Sequence, residues 1–345
     1  MKTGLVYDPV YLNHDTGTHP ENAGRLRAVM ALLESAGTLK KVEVIKPRIA
    51  SLEELALAHD ENYILSIETR ANAGGGWLDV DTYISPASYE VARYAAGGVI
   101  TGLEKVMDGS LSSAFALVRP PGHHAGRSRG AGFCIFNNVA VAARCALSKF
   151  GLNRVLIADI DVHHGNGTQD IFYNEPRVLY FSTHQYPFYP GTGSVDEVGG
   201  CQGNVVNVPL PANSGDEVFL RAYHDVFIPV ASRFRPELVL VSAGYDAHWA
   251  DDISMMQLTV SGCAQIVGMI RKVALEFCQG RMVFALEGGY STESLPACVK
   301  ATLDVLLGEK HVTDPLGKPS WSGRDSGADT VVETARRIHG LEGKQ

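Results

Sequence analysis

The residues that could do chemistry gather most densely in one stretch, RVLIADIDVHHGNGTQ, from Arg154 to Gln169. Asp159, Asp161 and His163 alternate along an extended chain, so their side chains project to one side. An Asp and a His so placed offer a carboxylate oxygen and an imidazole nitrogen, both suited to a divalent metal such as zinc. Three other clusters have the same character: Pro120-Pro121-Gly122-His123-His124, Ala243-Gly244-Tyr245-Asp246 and Glu287-Gly288-Gly289-Tyr290. A catalytic zinc takes three protein ligands and keeps one position open, and Asp161, His163 and Asp246 would supply them. Two carboxylates and one imidazole make a harder set than thiolates, so Fe(II) or Co(II) would also bind. His123 and His124 are placed to move the proton of a water held there. Tyr290, beside glycines that let the backbone turn, fits the part of an oxyanion donor. Taken singly, each residue has a plainer reading. Pro-Pro-Gly makes a turn, Asp246 caps a helix, and Phe133, Tyr189 and Tyr290 pack as ordinary aromatics. Their joint occurrence carries the chemistry. GNGTQD at 165–170 lacks the third glycine of a dinucleotide loop, so no nucleotide cofactor is expected there.

Each cluster follows a short apolar run: Phe115–Val118, Val155–Ala158, Leu238–Ser242 and Met282–Leu286. Such runs read as buried strands of a parallel sheet, and in open α/β sheets ligands bind beyond the carboxyl ends of strands. Further strands are predicted at Gly4–Asp8, Val42–Ile45, Val178–Ser182 and Val205–Val208. Helical spacing marks Arg25–Ser35, Asn62–Ala71, Tyr89–Met107, Val139–Phe150, Glu217–Phe234, Leu258–Cys278 and Glu293–Leu307. Ser51–Ala58 opens with S-x-E-E, a helix start with acids in its first turn. Strands alternating with helices predict an α/β fold, a single largely parallel β-sheet flanked by helices on both faces. The 345 residues read as one domain, with the polar segment 309–345 wrapping the surface and carrying one helix, Thr330–Ile338.

Composition narrows the function. Asp and Glu number 38 against 30 Lys and Arg, with no dense basic run; this argues against a nucleic-acid surface and suits cationic peptides or amines. Cys134, Cys145, Cys201, Cys263, Cys278 and Cys298 show no CxxC spacing, so reduced core thiols in a cytoplasmic protein are expected. No apolar run approaches the length of a membrane span or a signal segment.

The motifs RPPGHHA, GFCIFNN, DIDVHHGNGTQD, YPGTG, SAGYDAH and LEGGY, in this order, resemble the zinc-dependent histone deacetylase superfamily over about residues 4 to 305. That superfamily includes bacterial deacetylase-like amidohydrolases, acetylpolyamine amidohydrolases and acetoin-utilisation proteins. The resemblance implies the arginase/deacetylase fold and hydrolysis of an ε-N-acyl-lysine or similar acyl amide, with acylated lysine peptides, proteins or acylated amines as partners. It assigns zinc to Asp161, His163 and Asp246, the tandem active-site histidines to His123 and His124, and the transition-state tyrosine to Tyr290. Asp159 stands behind His123. The acyl-lysine tunnel falls on Gly132, Phe133 and Tyr189, with Ile253 at its mouth and Asp81 at the rim, holding the substrate backbone. A potassium ion would lie among Asp159, Ser182, Thr183 and the carbonyls of Asp161 and His163. A second monovalent site would involve Phe172, Glu175, Val178 and Asn204.

Departures matter. Behind His124 stands Asn166, as in class II members, where class I members have an aspartate. An amide stabilises imidazolium less than a carboxylate, so His124 is expected to stay neutral while His123 holds a proton. The inserted loop of acetylpolyamine enzymes does not precede Tyr89, which disfavours, without removing, a polyamine substrate; a homo-oligomer stays open. A binuclear manganese ureohydrolase would need aspartates where Gly165 and His248 stand. An inactive acyl-lysine binding module would not need the full set of ligands, histidines and Tyr290 that this chain carries.

Overall fold

The computed structural model describes residues 2–200, 203–309, 311–320 and 326–342. In chain order its elements are β1 (Thr3–Val6), α1 (Gly24–Ser35), β2 (Glu43–Ile45), α2 (Leu52–Ala56), α3 (Glu61–Asn72), β3 (Gly76–Trp77), β4 (Tyr83–Ile84), α4 (Ser88–Met107), β5 (Ser113–Ala116), α5 (Asn138–Ser148), β6 (Val155–Asp159) and α6 (Asn166–Phe172). Then follow β7 (Val178–Gln185), β8 (Val205–Leu210), α7 (Asp216–Ala222), α8 (Ile228–Phe234), β9 (Leu238–Ala243), α9 (Val260–Phe277), β10 (Met282–Leu286), α10 (Ser294–Leu307) and α11 (Ser326–Ile338).

Eight strands form one sheet in the order β2-β1-β5-β10-β9-β6-β7-β8, and β3 and β4 form a separate hairpin. Every pairing in the large sheet is parallel. The central strands are buried along their whole length, as their unbroken apolar composition requires in a sheet covered on both faces. This is the arginase/deacetylase architecture. The four strands that precede the chemical clusters, β5, β10, β9 and β6, are consecutive neighbours.

Local signals explain the helix starts. Ser51 and Glu54 form a reciprocal capping box, Glu54 N–H donating to Ser51 Oγ (3.2 Å) and Ser51 N–H to Glu54 Oε2 (2.9 Å). Asn137 and Thr259 cap α5 and α9 through their side chains. The Ala- and Gly-rich α4 packs closely, since a Cβ on Gly97 would lie 1.9 Å from the Arg48 carbonyl oxygen.

Three expectations change. The strand expected at Phe115–Val118 pairs two residues earlier; Ser113 can be buried because its hydroxyl bonds that of Thr3 at 3.1 Å. The helix expected across Glu217–Phe234 is broken by a π turn at Tyr223–Phe227, where Ile228 N–H donates five residues back to Tyr223 O. Pro229, which has no N–H to donate, follows directly. The terminal helix begins at Ser326 and buries Val332 and Ala335 completely, packing against β8 and α7. Cys134, Cys145, Cys263, Cys278 and Cys298 are buried free thiols; Cys201 lies outside the described residues. Among the described residues no helix is long and apolar enough to cross a membrane.

Candidate active site

The strand ends deliver the expected residues to one place. Register sets Asp159 of β6 beside Ser182 of β7 and Ser242 of β9. Asp161, His163 and Asp246 are buried, and one ligand atom from each lies within 4.8 Å of the others. Their free directions are already used by neighbours: Asp161 Oδ2 accepts from Gly288 N (2.8 Å) and Asp246 Oδ1 from Val162 N (2.9 Å). Asp246 Oδ2, by contrast, is buried without a hydrogen-bond partner, with His163 Nδ1 3.3 Å away. A buried carboxylate oxygen left open in this way is costly unless a cation takes it up. The backbone makes room for these oxygens. A Cβ on Gly244 would lie 2.0 Å from Asp161 Oδ2, and one on Gly288 would lie 2.1 Å from Asp246 Oδ2. The donor set and the open oxygen fit a zinc-type ion, with Asp161, His163 and Asp246 as the residues that would hold it.

His123 and His124 sit with ring centroids 4.0 Å apart but have different partners. His123 Nδ1 meets Asp159 Oδ2 at 3.1 Å, and its Nε2 lies 3.7 Å from Asp161 Oδ1. Burial alone would lower its pKa, but Asp161 and Asp159 outweigh that and push it up to about 10. His124 Nδ1 meets Asn166 Oδ1 at 2.9 Å. With an amide behind it, burial and then the neighbouring His123 hold its pKa well below the ordinary value. A carboxylate behind one imidazole and an amide behind the other bias His123 toward the charged form and His124 toward the neutral one.

Tyr290 is half-buried, edge-on to Phe133 at 5.7 Å, with the Arg25 guanidinium 4.8 Å over its ring. Tyr189 stands edge-on to His124 (5.1 Å) and His163 (6.0 Å). Gly132 has φ +53, and a Cβ there would lie 2.4 Å from the His124 ring, so only glycine fits between the aromatic walls and the histidine. Asp81 is half-buried in the β3–β4 loop, and Thr82 links it to Phe133: the Thr82 hydroxyl donates to Asp81 Oδ1 (3.3 Å) and accepts from Phe133 N (3.0 Å). Burial and then Asp79 raise the Asp81 carboxyl. Ile253 is half-buried on the loop after Asp246, its N–H bound to Asp251 Oδ1 at 3.2 Å.

For the expected potassium sites, Ser182 and Thr183 are buried within β7 and Thr183 Oγ1 has no hydrogen-bond partner. The carbonyls of Phe172, Glu175 and Val178 converge on one point, where Asn204 Nδ2 donates to them at 2.8, 3.2 and 3.1 Å. A cation at that point would require the Asn204 amide to turn.

Several residues at the site were not expected from sequence. Phe188 stacks on His163 (5.3 Å, 17°), and His19 packs edge-on to Phe133 at 4.4 Å. Glu287 is fully buried; its carboxylate accepts from Gly122 N (2.6 Å), His123 N (3.2 Å) and the Ser242 hydroxyl (3.1 Å). Burial raises its pKa to about 7, against the lowering effect of His123. Arg25 donates to the carbonyls of Glu287 and Gly289, both at 2.6 Å. It also pairs with Glu21, which binds the fully buried Arg119. Phe188 could have been read from its neighbour Tyr189; a buried arginine at helical spacing has no sequence signature. His123, Cys134 and Glu287 form a second close group. Their atoms are committed elsewhere, however, since the Cys134 thiol bonds Gly132 O (3.3 Å) and burial raises its pKa strongly. For the ureohydrolase alternative, a side chain at Gly165 would begin 2.2 Å from Asp159 Oδ2, so an aspartate there has no space.

Residues 19–306 match the family described as the histone deacetylase domain. The chain is 38% identical to a probable deacetylase of Archaeoglobus fulgidus, over 98% of each chain. It is 38% identical to the chloroplastic histone deacetylase 10 of Oryza sativa subsp. japonica, covering 96% of this chain and 79% of that one. The crystal structure of the HDA15 HD domain superposes with a TM-score of 0.89 at 36% identity, covering 98% of this chain and 94% of that one. A match over most of the chain, a relative of the same length and a shared fold place the protein in the histone deacetylase family of hydrolases.

Proposed function

We propose that the protein removes acetyl or other acyl groups from the ε-amino group of lysine in peptides or proteins, by metal-assisted hydrolysis of a linear amide. The observation that carries this reading is an open, buried Asp161–His163–Asp246 group beside two histidines with different partners, His123 on the Asp159 carboxylate and His124 on the Asn166 amide. A zinc-type ion held by that group would supply Lewis acidity toward the acyl carbonyl and acidify a water. His124, kept neutral, accepts the water's proton at Nε2, because its Nδ1 is engaged by Asn166. His123, kept protonated against Asp159, is the reserve of positive charge and of a proton for the departing amine. Tyr290 donates its phenol hydrogen to the developing oxyanion. Phe133, Tyr189 and Phe188 form apolar walls that admit an aliphatic lysine stem and exclude bulk water. Asp81 accepts from the backbone N–H groups of a peptide crossing the rim. Potassium among Asp159, Ser182 and Thr183 would take up the open Thr183 oxygen's surroundings and stiffen the β6 end. Five buried free thiols favour a reducing compartment, for which we propose the cytoplasm.

The test is a rate profile of the zinc-loaded protein on acetyl-lysine, longer acyl-lysine and trifluoroacetyl-lysine peptides and on acetylated polyamines, with Asp246→Ala as control. Turnover of acyl-lysine peptides that disappears together with the metal in Asp246→Ala supports the proposal. Turnover of polyamines alone would replace lysine as the substrate, and binding without turnover would make the protein an acyl-lysine reader.

A further inference from the structure

Tyr290 follows two glycines, and a Gly-Gly pair permits a turn without fixing it, because glycine surrenders more conformational freedom than any other residue. Gly289 sits at φ +110, outside the range of ordinary side chains. Something else must therefore hold Tyr290 in one place. On one side Arg25 takes the Gly289 carbonyl at 2.6 Å. On the other side stands Asp251, 3% exposed. Its Oδ2 accepts from both Tyr290 N (2.5 Å) and Ser291 N (2.9 Å), while its Oδ1 accepts from Ile253 N (3.2 Å). A carboxylate bound to two successive backbone N–H groups is a charge-assisted clamp of well-defined geometry. Ser291 in turn accepts from Ser294 N at 3.2 Å, so the clamp stands directly before the first turn of α10.

We propose that Asp251 is a positioning residue for Tyr290, and that the same carboxylate couples Tyr290 to the Ile253 loop. The proposal rests on reading Tyr290 as the oxyanion donor. One oxygen fixes where the phenol stands; the other fixes the loop that runs from Asp246 past the site. That loop is tied back at two further points, Ser254 Oγ donating to the Asp246 carbonyl (2.7 Å) and Met255 N to Gln185 Oε1 (2.9 Å). A displacement of the loop is thus carried to Tyr290 through a single side chain that touches neither substrate nor metal ligands.

The experiment compares zinc-loaded parent, Asp251→Asn, Tyr290→Phe and the double variant on an acetyl-lysine peptide, with metal content and amide exchange read alongside. Asp251→Asn keeps the size but removes the charge that holds two N–H groups on one oxygen. Its kcat should fall by roughly 10- to 100-fold, the scale of a misplaced catalytic group, with KM and metal content unchanged. Exchange of the Tyr290 and Ser291 amides should quicken in the same variant. In the Tyr290→Phe background the Asp251→Asn change should cost less than about threefold, because the group it positions is already gone. A full loss in that background, or parent kcat in Asp251→Asn, would overturn the positioning role. Should Asp251→Asn not fold, Asp251→Glu keeps the charge and shifts it by one methylene; it is expected to lower kcat likewise, and parent-like kcat would overturn the role. If Tyr290→Phe itself turns over like the parent, the oxyanion reading fails, and the positioning proposal falls with it for a separately visible reason.

Discussion

Adding one methyl group at Gly288 should empty the metal site without touching a ligand. A Cβ there would lie 2.1 Å from Asp246 Oδ2 and 2.6 Å from Asp161 Oδ2, where real Cβ atoms need at least 3.0 Å. The Asp246 oxygen must therefore retreat by the difference between 2.1 and 3.0 Å, about 0.9 Å, several times the roughly 0.2 Å a metal–ligand distance tolerates. Neither oxygen can yield freely, because the partner oxygen of each carboxylate is held by a backbone N–H or by His163. The backbone itself should accept alanine, since the left-handed conformation belongs to Gly289 and not to Gly288. Gly288→Ala should thus lose roughly 1–3 kcal/mol of metal-free stability to overpacking and bind zinc at least 100-fold more weakly, at the strong end of supporting-residue effects. Zinc at 100 times the parent's Kd stabilises it by about 2.7 kcal/mol; at a Kd raised 100-fold the same zinc gives about 0.4 kcal/mol. Thermal unfolding with and without zinc, together with metal content after desalting, reads this directly. A Gly288→Ala protein that holds stoichiometric metal with the parent's zinc-dependent shift in Tm would refute the reasoning.

Tyr290→Phe removes one oxyanion donor and leaves the walls in place, so kcat should fall by about 10²–10³ with metal retained; near-parent turnover would make Tyr290 a wall residue only. Asp81→Asn should cost acyl-lysine peptides roughly 1–3 kcal/mol in kcat/KM, the range of a hydrogen bond to a charged group, and cost a minimal acyl-amine without backbone N–H groups much less. Equal losses on both substrates would assign Asp81 to shaping the Thr82–Phe133 contact instead. Glu21 is buried against Arg119, and although burial raises its pKa, the guanidinium brings it down from 4.5 to about 2. A carboxyl depressed on folding stabilises above its unfolded pKa and loses that contribution as pH falls through the folded one. Parent stability relative to Glu21→Gln should therefore shrink by about 2 kcal/mol between pH 6 and pH 3, measured by urea unfolding; a pH-independent difference would deny the charge on Glu21.

The parts legible in the sequence were those whose signal is local. Val155–Asp159 is β-branched and apolar and then turns polar, and it forms a buried interior strand with the candidate ligands Asp161 and His163 just beyond its end. The S-x-E-E start of α2 gives the capping box outright. Asn166 in place of aspartate puts an amide behind His124 at 2.9 Å, and burial, with no carboxylate there to offset it, lowers the His124 pKa. What was not legible depends on pairs far apart in the chain. Arg25 lies 264 residues from the Gly289 carbonyl it binds, and Arg119 lies 98 from Glu21; by helical spacing alone Arg25 passes for a surface residue of α1. Glu287 has no role legible within LEGGY, since its use follows only from β5, β9 and β10 being neighbours. The π turn at Tyr223–Phe227 leaves no mark in the sequence, because the apolar period runs on through it while the hydrogen-bond ladder does not.

These long-range contacts share a logic that explains how a cluster of acids survives inside a core. Burying a carboxylate costs several kcal/mol unless donors replace its water. Here each acid is met by the backbone or hydroxyl of a different strand end. The loop after β6 supplies Val162 N to Asp246, which follows β9. The end of β10 supplies Gly288 N to Asp161, which follows β6. The loop after β5 supplies Gly122 N and His123 N to Glu287 at the end of β10, and β9 adds the Ser242 hydroxyl. Asp251, beyond β9, receives Tyr290 and Ser291 from beyond β10. Local N–H groups reach one oxygen of Asp161 and of Asp251, but the other oxygen of each depends on a different strand end, so none of the four is complete until its neighbours are in register. The cost of each buried acid is thereby converted into a demand for the sheet order β5-β10-β9-β6, and Asp246 Oδ2, the oxygen this arrangement leaves open, is the atom the proposed cation would take up.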